Sequence, residues 1–138
     1  MKPKKPKYWY LQSGVVPFKR NNGNFEVLLI RSRKNKRWIF PKGIIEPGMS
    51  PEDSAAKDAF EEAGVKGKIS TGYYVTYTYK KWGGICNVTV YPMEIEKVYE
   101  EWPESFRKRK WFNLSELEKV LKKKMVKIIN YLVKFHTQ

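Results

Sequence analysis

Cysteine, histidine and acidic residues are scarce in this 138-residue chain. A single cysteine, Cys86, excludes an internal disulfide and any Cys-rich zinc site. The single histidine, His136, stands near the C-terminal end and reads as incidental. Fourteen Asp and Glu face 28 Lys and Arg, which leaves a net charge of +14. No apolar run approaches the roughly 18–20 residues that span a bilayer. The basic stretch Met1–Lys7 is not followed by an apolar signal segment. The expectation is a soluble cytoplasmic protein that does not insert in a membrane. No internal repeat and no low-complexity linker divides the chain, so one domain over 1–138 is expected, a length that buries a core without disulfides.

What is present is globular in composition: 41% hydrophobic and 15% aromatic, where disordered chains lack aromatics. The excess positive charge favours anionic partners, whether phosphates, nucleic acid or acidic lipid head groups. It does not choose among them, and Lys-rich surfaces also arise from genome composition or thermal adaptation.

Hydrophobic patterning places the elements. Met1–Lys7, alternating Pro and Lys, reads as a loose arm or edge strand. Tyr10–Phe18 reads as a strand, and Phe25–Arg31, with Val27, Leu28, Leu29 and Ile30, as a buried one; Asn21 to Asn24 is turn chemistry between them. Trp38–Phe40 is a short extended piece, and Pro41–Gly48, with two Pro and two Gly, a loop. Ser50 is an N-cap with Pro51 at the first helical position and Glu52 and Asp53 at the positive end of the dipole. That helix runs to Ala63, where Gly64 is the left-handed stop. Ile69–Tyr79 alternates, with Ile69, Thr71, Tyr73, Val75, Tyr77 and Tyr79 on one face; Lys81-Trp82-Gly83-Gly84 turns the chain and Ile85–Ile95 returns as a hairpin. Trp102–Lys108 is a polar loop and Arg109–Phe112 a strand. After a cap at Asn113 or Ser115, helical spacing continues from Leu114 to Leu132. The order predicts a mixed α/β domain with a sheet between helices.

One segment concentrates acid in an otherwise basic chain. Asp58, Glu61 and Glu62 stand at steps of three and four, which on a helix share a face. Three carboxylates there repel one another and oppose the negative end of the dipole. A solvated acidic face is the plain explanation. A divalent cation is the alternative, because hard oxygen ligands suit Mg²⁺ or Mn²⁺, and the Pro- and Gly-rich lead-in offers backbone carbonyls as further ligands.

The segment resembles the Nudix box, whose pattern is Gly, five residues, Glu, seven residues, then Arg-Glu-aliphatic-x-Glu-Glu-x-Gly-aliphatic. Gly43 matches the opening Gly, and Glu61, Glu62, Gly64 and Val65 match the end. Asp58 stands at the first metal-binding Glu, Ala59 at the aliphatic position, Lys57 at the Arg and Met49 at the mid-motif Glu. The lead-in Trp38-Ile39-Phe40-Pro41-Lys42-Gly43, with Glu46 and Gly48, is similar to the family's as well. Met49 and Lys57 cannot form the family's Glu–Arg pair, so that brace is expected to be absent or replaced by packing. Ser13–Phe18, Glu26–Ile30 with Arg31 to Arg33, and Glu101–Phe112 resemble the branch that cleaves diphosphoinositol and diadenosine polyphosphates.

The resemblance implies a Nudix-type α/β/α sandwich with a mixed sheet between helices. It implies Mg²⁺, for which Mn²⁺ substitutes, held by Asp58, Glu61, Glu62 and the Gly43 carbonyl, with Glu62 or Glu61 activating water. Lys42, Arg31, Arg33, Arg107 and Arg109 would hold phosphate, Arg as a bidentate fork and Lys as a point charge. An additional acid outside the box is one of Glu94, Glu96, Glu100 and Glu104. The implied reaction is hydrolysis of a phosphoanhydride in a nucleoside-diphosphate-X, dinucleoside polyphosphate or diphosphoinositol polyphosphate. The alternatives are a pyrophosphohydrolase acting on RNA 5′ ends and a catalytically weak ligand-binding module. Oligomeric state is open.

Overall fold

The longest strand organises the molecule. In the computed structural model, which describes residues 8–34 and 36–135, β1 (Trp9–Asn21) runs parallel to β7 (Gly84–Val98), from Trp9 opposite Ile85 to Phe18 opposite Glu94. Every other pairing is antiparallel. β2 (Asn24–Arg31) folds back on β1 through the Asn22-Gly23 turn and carries β8 (Arg109–Asn113) on its other side, while β3 (Trp38–Ile39) pairs with the end of β2 across from β8, Ile30 standing between Ile39 and Arg109. β5 (Val65–Ile69) and β6 (Val75–Lys81) pair with successive parts of β7. The expected arm over Met1–Lys7 and the single histidine, His136, lie outside the described residues.

Alternation along these strands builds two cores, one on each face. Val15, Leu28, Ile30, Tyr91 and Met93 point to one side and meet Ala55, Ala59 and Ala63 of the acidic helix. Val16, Phe18, Val27, Leu29, Val88 and Val90 point to the other side and meet Ile128, Ile129, Leu132 and Val133. The small Ala face lets the acidic helix lie close on the sheet, as its backbone role requires. The result is the expected α/β/α arrangement.

Four expectations need correction. Pro41–Gly48 is not wholly loop: β4 (Lys42–Ile44) pairs with Gln12–Gly14 of β1, locked at its ends by Val15 N–H to Pro41 O (3.1 Å) and Ile45 N–H to Leu11 O (2.9 Å). The strand expected over Ile69–Tyr79 is two strands. It breaks opposite Pro92, which has no N–H to donate and uses only its carbonyl, on Ser70. Only Val75, Tyr77 and Tyr79 of the six expected residues therefore share the β6 face. The acidic helix is α1 (Pro51–Asp58) only at first; Ala59–Ala63 widen into a π-helical turn. The C-terminal helical pattern is interrupted: a 3₁₀ turn (Leu114–Glu116) and α2 (Leu117–Val120) end at Leu121, which is extended (ψ 154°), before α3 (Lys123–Phe135).

Candidate active site

The acidic helix is fixed at both ends. The Ser50 hydroxyl accepts the Asp53 N–H (3.0 Å), as its position foretold. At the C-terminus the carbonyls left without helical partners each find a donor from the stretch Tyr99 to Arg109, which joins β7 to β8 and includes the first residue of β8. Glu61 O accepts the Glu104 N–H (2.9 Å), Glu62 O the Trp102 indole N–H (3.0 Å), Ala63 O an Arg109 Nη1–H (2.8 Å) and Gly64 O the Tyr99 N–H (2.8 Å). Gly64 is left-handed (φ 67°), and a Cβ there would stand 2.7 Å from Arg109 Nη1 and 2.8 Å from the Trp102 ring. The roles of Tyr99 and Trp102 are invisible in sequence, because the partners they serve are backbone atoms 35 to 40 residues away.

This docking creates the acidic centre. Glu62 is buried, and burial first, then Asp58, push its carboxyl up to about 8, against the lowering pull of Arg107 and of the Lys42 N–H it accepts. Burial, Glu61 and Glu46 push Asp58 up to about 7. Asp58 Oδ2 is buried with no hydrogen-bond partner. Gly43 makes the space for it: a Cβ at 43 would lie 2.6 Å from that oxygen. Glu61 is more exposed and lies 3.7 Å from Lys57 Nζ. A turn closed by i→i+5 bonds holds more residues than an α turn, so the step from 58 to 62 comes back nearer the same face than the step from 58 to 61.

A hard divalent cation fits this donor set. A buried carboxylate oxygen without a partner, beside a second buried carboxylate, is an arrangement that positive charge stabilises. Among the described residues no three acidic, histidine or cysteine side chains close around a point. The acids therefore make an open, partial coordination shell of the kind that phosphate and water oxygens complete, as around Mg²⁺.

Of the four additional acids, the structure brings Glu104 to the site, where its charge acts on both Asp58 and Glu62. Glu94 instead pairs with Arg20 (3.4 Å), and Glu96 and Glu100 are exposed. The brace expected to be absent or replaced by packing exists instead as an ion pair with another carboxylate. Lys57 Nζ donates to both carboxylate oxygens of Glu46 (2.8 and 2.9 Å), three residues before the position that Met49 fills.

The five expected phosphate-binding cations divide into three groups. Arg31, Arg33 and Arg107 line one cleft of about 580 Å³ with Lys36, Phe106 and Lys108. Arg107 donates to Glu104 (2.9 Å) and to Arg31 O (3.1 Å), tying that cleft to the acids. Lys42 opens into a neighbouring cleft of about 430 Å³, walled by Trp38, Phe40, Tyr77 and Tyr79. Its ammonium donates to Tyr79 Oη (2.7 Å) and Gln12 Oε1 (3.3 Å), and burial, with Lys81 nearby, lowers its pKa. Gln12 was missed in sequence; a buried amide in an apolar strand was the available signal. Arg109 stands apart. Its guanidinium is taken up by the carbonyls of Ala63, Gly64 and Tyr99 and stacks on Trp102 at 3.9 Å. It closes the helix end and does not face the cleft, because the helix C-terminus offers carbonyls that attract a cation more directly. Cys86 is buried and Trp82 packs edge-on against Tyr10 (5.2 Å).

The fold is that of known hydrolases. The crystal structure of the Ap4A hydrolase of C. elegans superposes with a TM-score of 0.79 at 21% identity, over 94% of this chain and 99% of that one. The NUDIX domain family model matches residues 11–133, and the chain belongs to the Nudix family. Nudix hydrolase 21, chloroplastic, of Arabidopsis thaliana is 40% identical over 110 residues, covering 75% of this chain and 55% of that protein. Diphosphoinositol polyphosphate phosphohydrolase 2 of Rattus norvegicus is 36% identical over 108 residues, covering 74% and 58%. The chain thus spans little more than half the length of these curated relatives. No helix among the described residues is long and apolar enough to cross a membrane.

Proposed function

We propose that this chain hydrolyses a phosphoanhydride bond in a Mg²⁺-dependent reaction, its substrate a nucleoside-diphosphate-X, a dinucleoside polyphosphate or a diphosphoinositol polyphosphate. The observation that carries this reading is the buried pair Asp58 and Glu62, one oxygen of it unpartnered, set beside an arginine-lined cleft. Nudix hydrolases as a class use divalent cations. Here Asp58, Glu61, Glu62 and the Gly43 carbonyl would hold Mg²⁺ or Mn²⁺, which when bound neutralises charge developing on the phosphate oxygens. Arg31, Arg33 and Arg107 grip the phosphates that do not react, and Lys42 neutralises charge at the neighbouring cleft. Glu62 takes the proton of the attacking water, with Glu61 as the second carboxylate able to do so. Water oxygen bonds to phosphorus, the bridging P–O bond breaks, and two phosphate-terminated products leave.

The test is a phosphate-release screen with Mg²⁺ or Mn²⁺ across nucleotides, dinucleoside polyphosphates, inositol pyrophosphates and triphosphorylated RNA. Turnover lost on chelation and in Glu62→Gln supports the reading; full activity in that variant refutes the role. Two departures from the box favour a second reading, a ligand-binding module: Met49 in place of the mid-motif Glu and the shorter Asp58 in place of the first metal-binding Glu. Ligand binding without product, with Mn²⁺ present, would establish it.

A further inference from the structure

The acids of this chain are unevenly spread. None lies between Glu62 and Glu94, and none after Glu118. The first of these stretches contains β6, with Lys81 on the same face as Tyr77 and Tyr79. The second contains Lys122 and the α3 lysines Lys123, Lys124 and Lys127. The fold lays the two against each other, since Val75, Tyr77 and Tyr79 pack on the same core that α3 covers. Among the described residues none of these five lysines has a carboxylate within salt-bridge distance; the ion pairs engage Arg20, Lys57 and Arg107 instead. Repulsion among them is unrelieved, and a polyanion would relieve it.

The surface between them is grooved and continuous with the candidate site. A groove of about 360 Å³ runs between Val75–Tyr77 and Lys123, Lys124 and Lys127. It shares Tyr77 and Lys124 with the Lys42 cleft, which shares Ser32 with the arginine cleft. Along this path four rings each carry a cation: Lys124 at 5.5 Å from Tyr77, Lys42 at 4.6 Å from Tyr79, Arg31 at 4.6 Å from Trp38 and Arg33 at 5.1 Å from Phe106.

We propose that the three joined grooves form a binding track for single-stranded nucleic acid, leading from the α3–β6 lysines to the mouth of the acidic site. Ring–cation pairs repeated along the grooves suit an extended strand, whose phosphates meet the cations and whose bases stack on guanidinium and ring without regard to sequence. A duplex presents no free base faces to those rings. The α3 lysines are exposed, so the vesicle arm of the experiment below decides between a strand and a lipid surface. The track needs no catalysis, so its test stands apart from that of the hydrolase reading.

The experiment is fluorescence anisotropy of the full chain, with chelator present, against labelled 12-nucleotide strands bearing a 5′-hydroxyl, one of RNA and one of DNA. A blunt duplex and anionic phosphatidylserine vesicles are the comparison arms. Binding of either strand, tighter than duplex and weakening steeply with salt, supports the track, each phosphate contact adding about 0.7 to the log–log slope. The double variant Lys123→Gln, Lys127→Gln, at lysines that line only the outer groove, should weaken binding severalfold and lower the slope by about 1.4, while circular dichroism and release of phosphate from any small substrate stay as in the parent. No single-strand binding near 0.1 M salt, duplex bound as tightly, an unchanged double variant, or vesicles bound in place of strands overturns the proposal.

Discussion

At the scale of single residues, the site depends on one missing side chain. Gly43 leaves room for the Asp58 carboxylate, and even a methyl group there collides with Oδ2. Gly43→Ala should cut turnover by at least about tenfold by displacing that oxygen, with a weaker Mn²⁺ affinity measured in parallel by titration. The raised carboxyls have a consequence for stability. Glu62 and Asp58 hold protons in the folded metal-free chain at pH values where the unfolded chain has lost them. Between their ordinary range near 4 and about 7–8, the folded state binds more protons, so stability falls as pH rises. Urea unfolding of the chelated protein should show a midpoint that declines from pH 5 to pH 8, a decline flattened in Glu62→Gln. The residue identities of the acids were legible in sequence because their spacing is local. Glu46 as partner of Lys57 was not, since which carboxylate reaches the ammonium depends on how the lead-in loop folds over the helix. That pair is about half exposed on both sides, and Glu46→Gln should leave the urea midpoint nearly unchanged, because solvent screens an exposed ion pair.

At the scale of elements, the acidic helix is held by a segment distant in sequence. Four consecutive carbonyls, 61 to 64, are capped by the stretch from Tyr99 to Arg109. Removing Arg109 leaves carbonyls of Ala63 and Tyr99 without their charged donor. Arg109→Ala should therefore destabilise the chain by about 2–3 kcal/mol in urea unfolding, with KM for any substrate little changed. A rise in KM with unaltered stability would return Arg109 to the binding cleft. The ends of this helix show what local sequence encodes. Ser50 and Gly64 are read correctly because a cap and a left-handed stop are properties of a few adjacent residues. The π-helical turn is not, because the donors that satisfy the widened end come from another element. The break at Leu121 and the split between β5 and β6 escaped for a related reason: hydrophobic spacing continues through both, and only the neighbours, Pro92 for the strand, interrupt the pairing.

At the scale of the whole molecule, the two cores are functionally unequal. One side seats the acidic helix on Val15, Leu28 and Met93. The other seats α3 on Val16, Leu29 and Val90. Ile129 and Leu132 are fully buried on that second side. Leu132→Ala should lower unfolding free energy by about 2–5 kcal/mol, yet leave turnover below the melting transition within about twofold, since the sheet separates it from the acids. The layer order itself was legible, because strands that are apolar on both faces require a cover on each. The charge asymmetry was legible only as a net value; its gathering along one grooved face needed the fold to bring β6 and α3 together.

The claim on which the rest depends is that Asp58 and Glu62 are a divalent-cation site. Titration of Mn²⁺ followed by electron paramagnetic resonance tests it directly, without any substrate. Binding of Mn²⁺ by the parent chain, competed by Mg²⁺ and weakened at least about tenfold in both Asp58→Asn and Glu62→Gln, is the predicted result. The same Mn²⁺ affinity in all three proteins would contradict it.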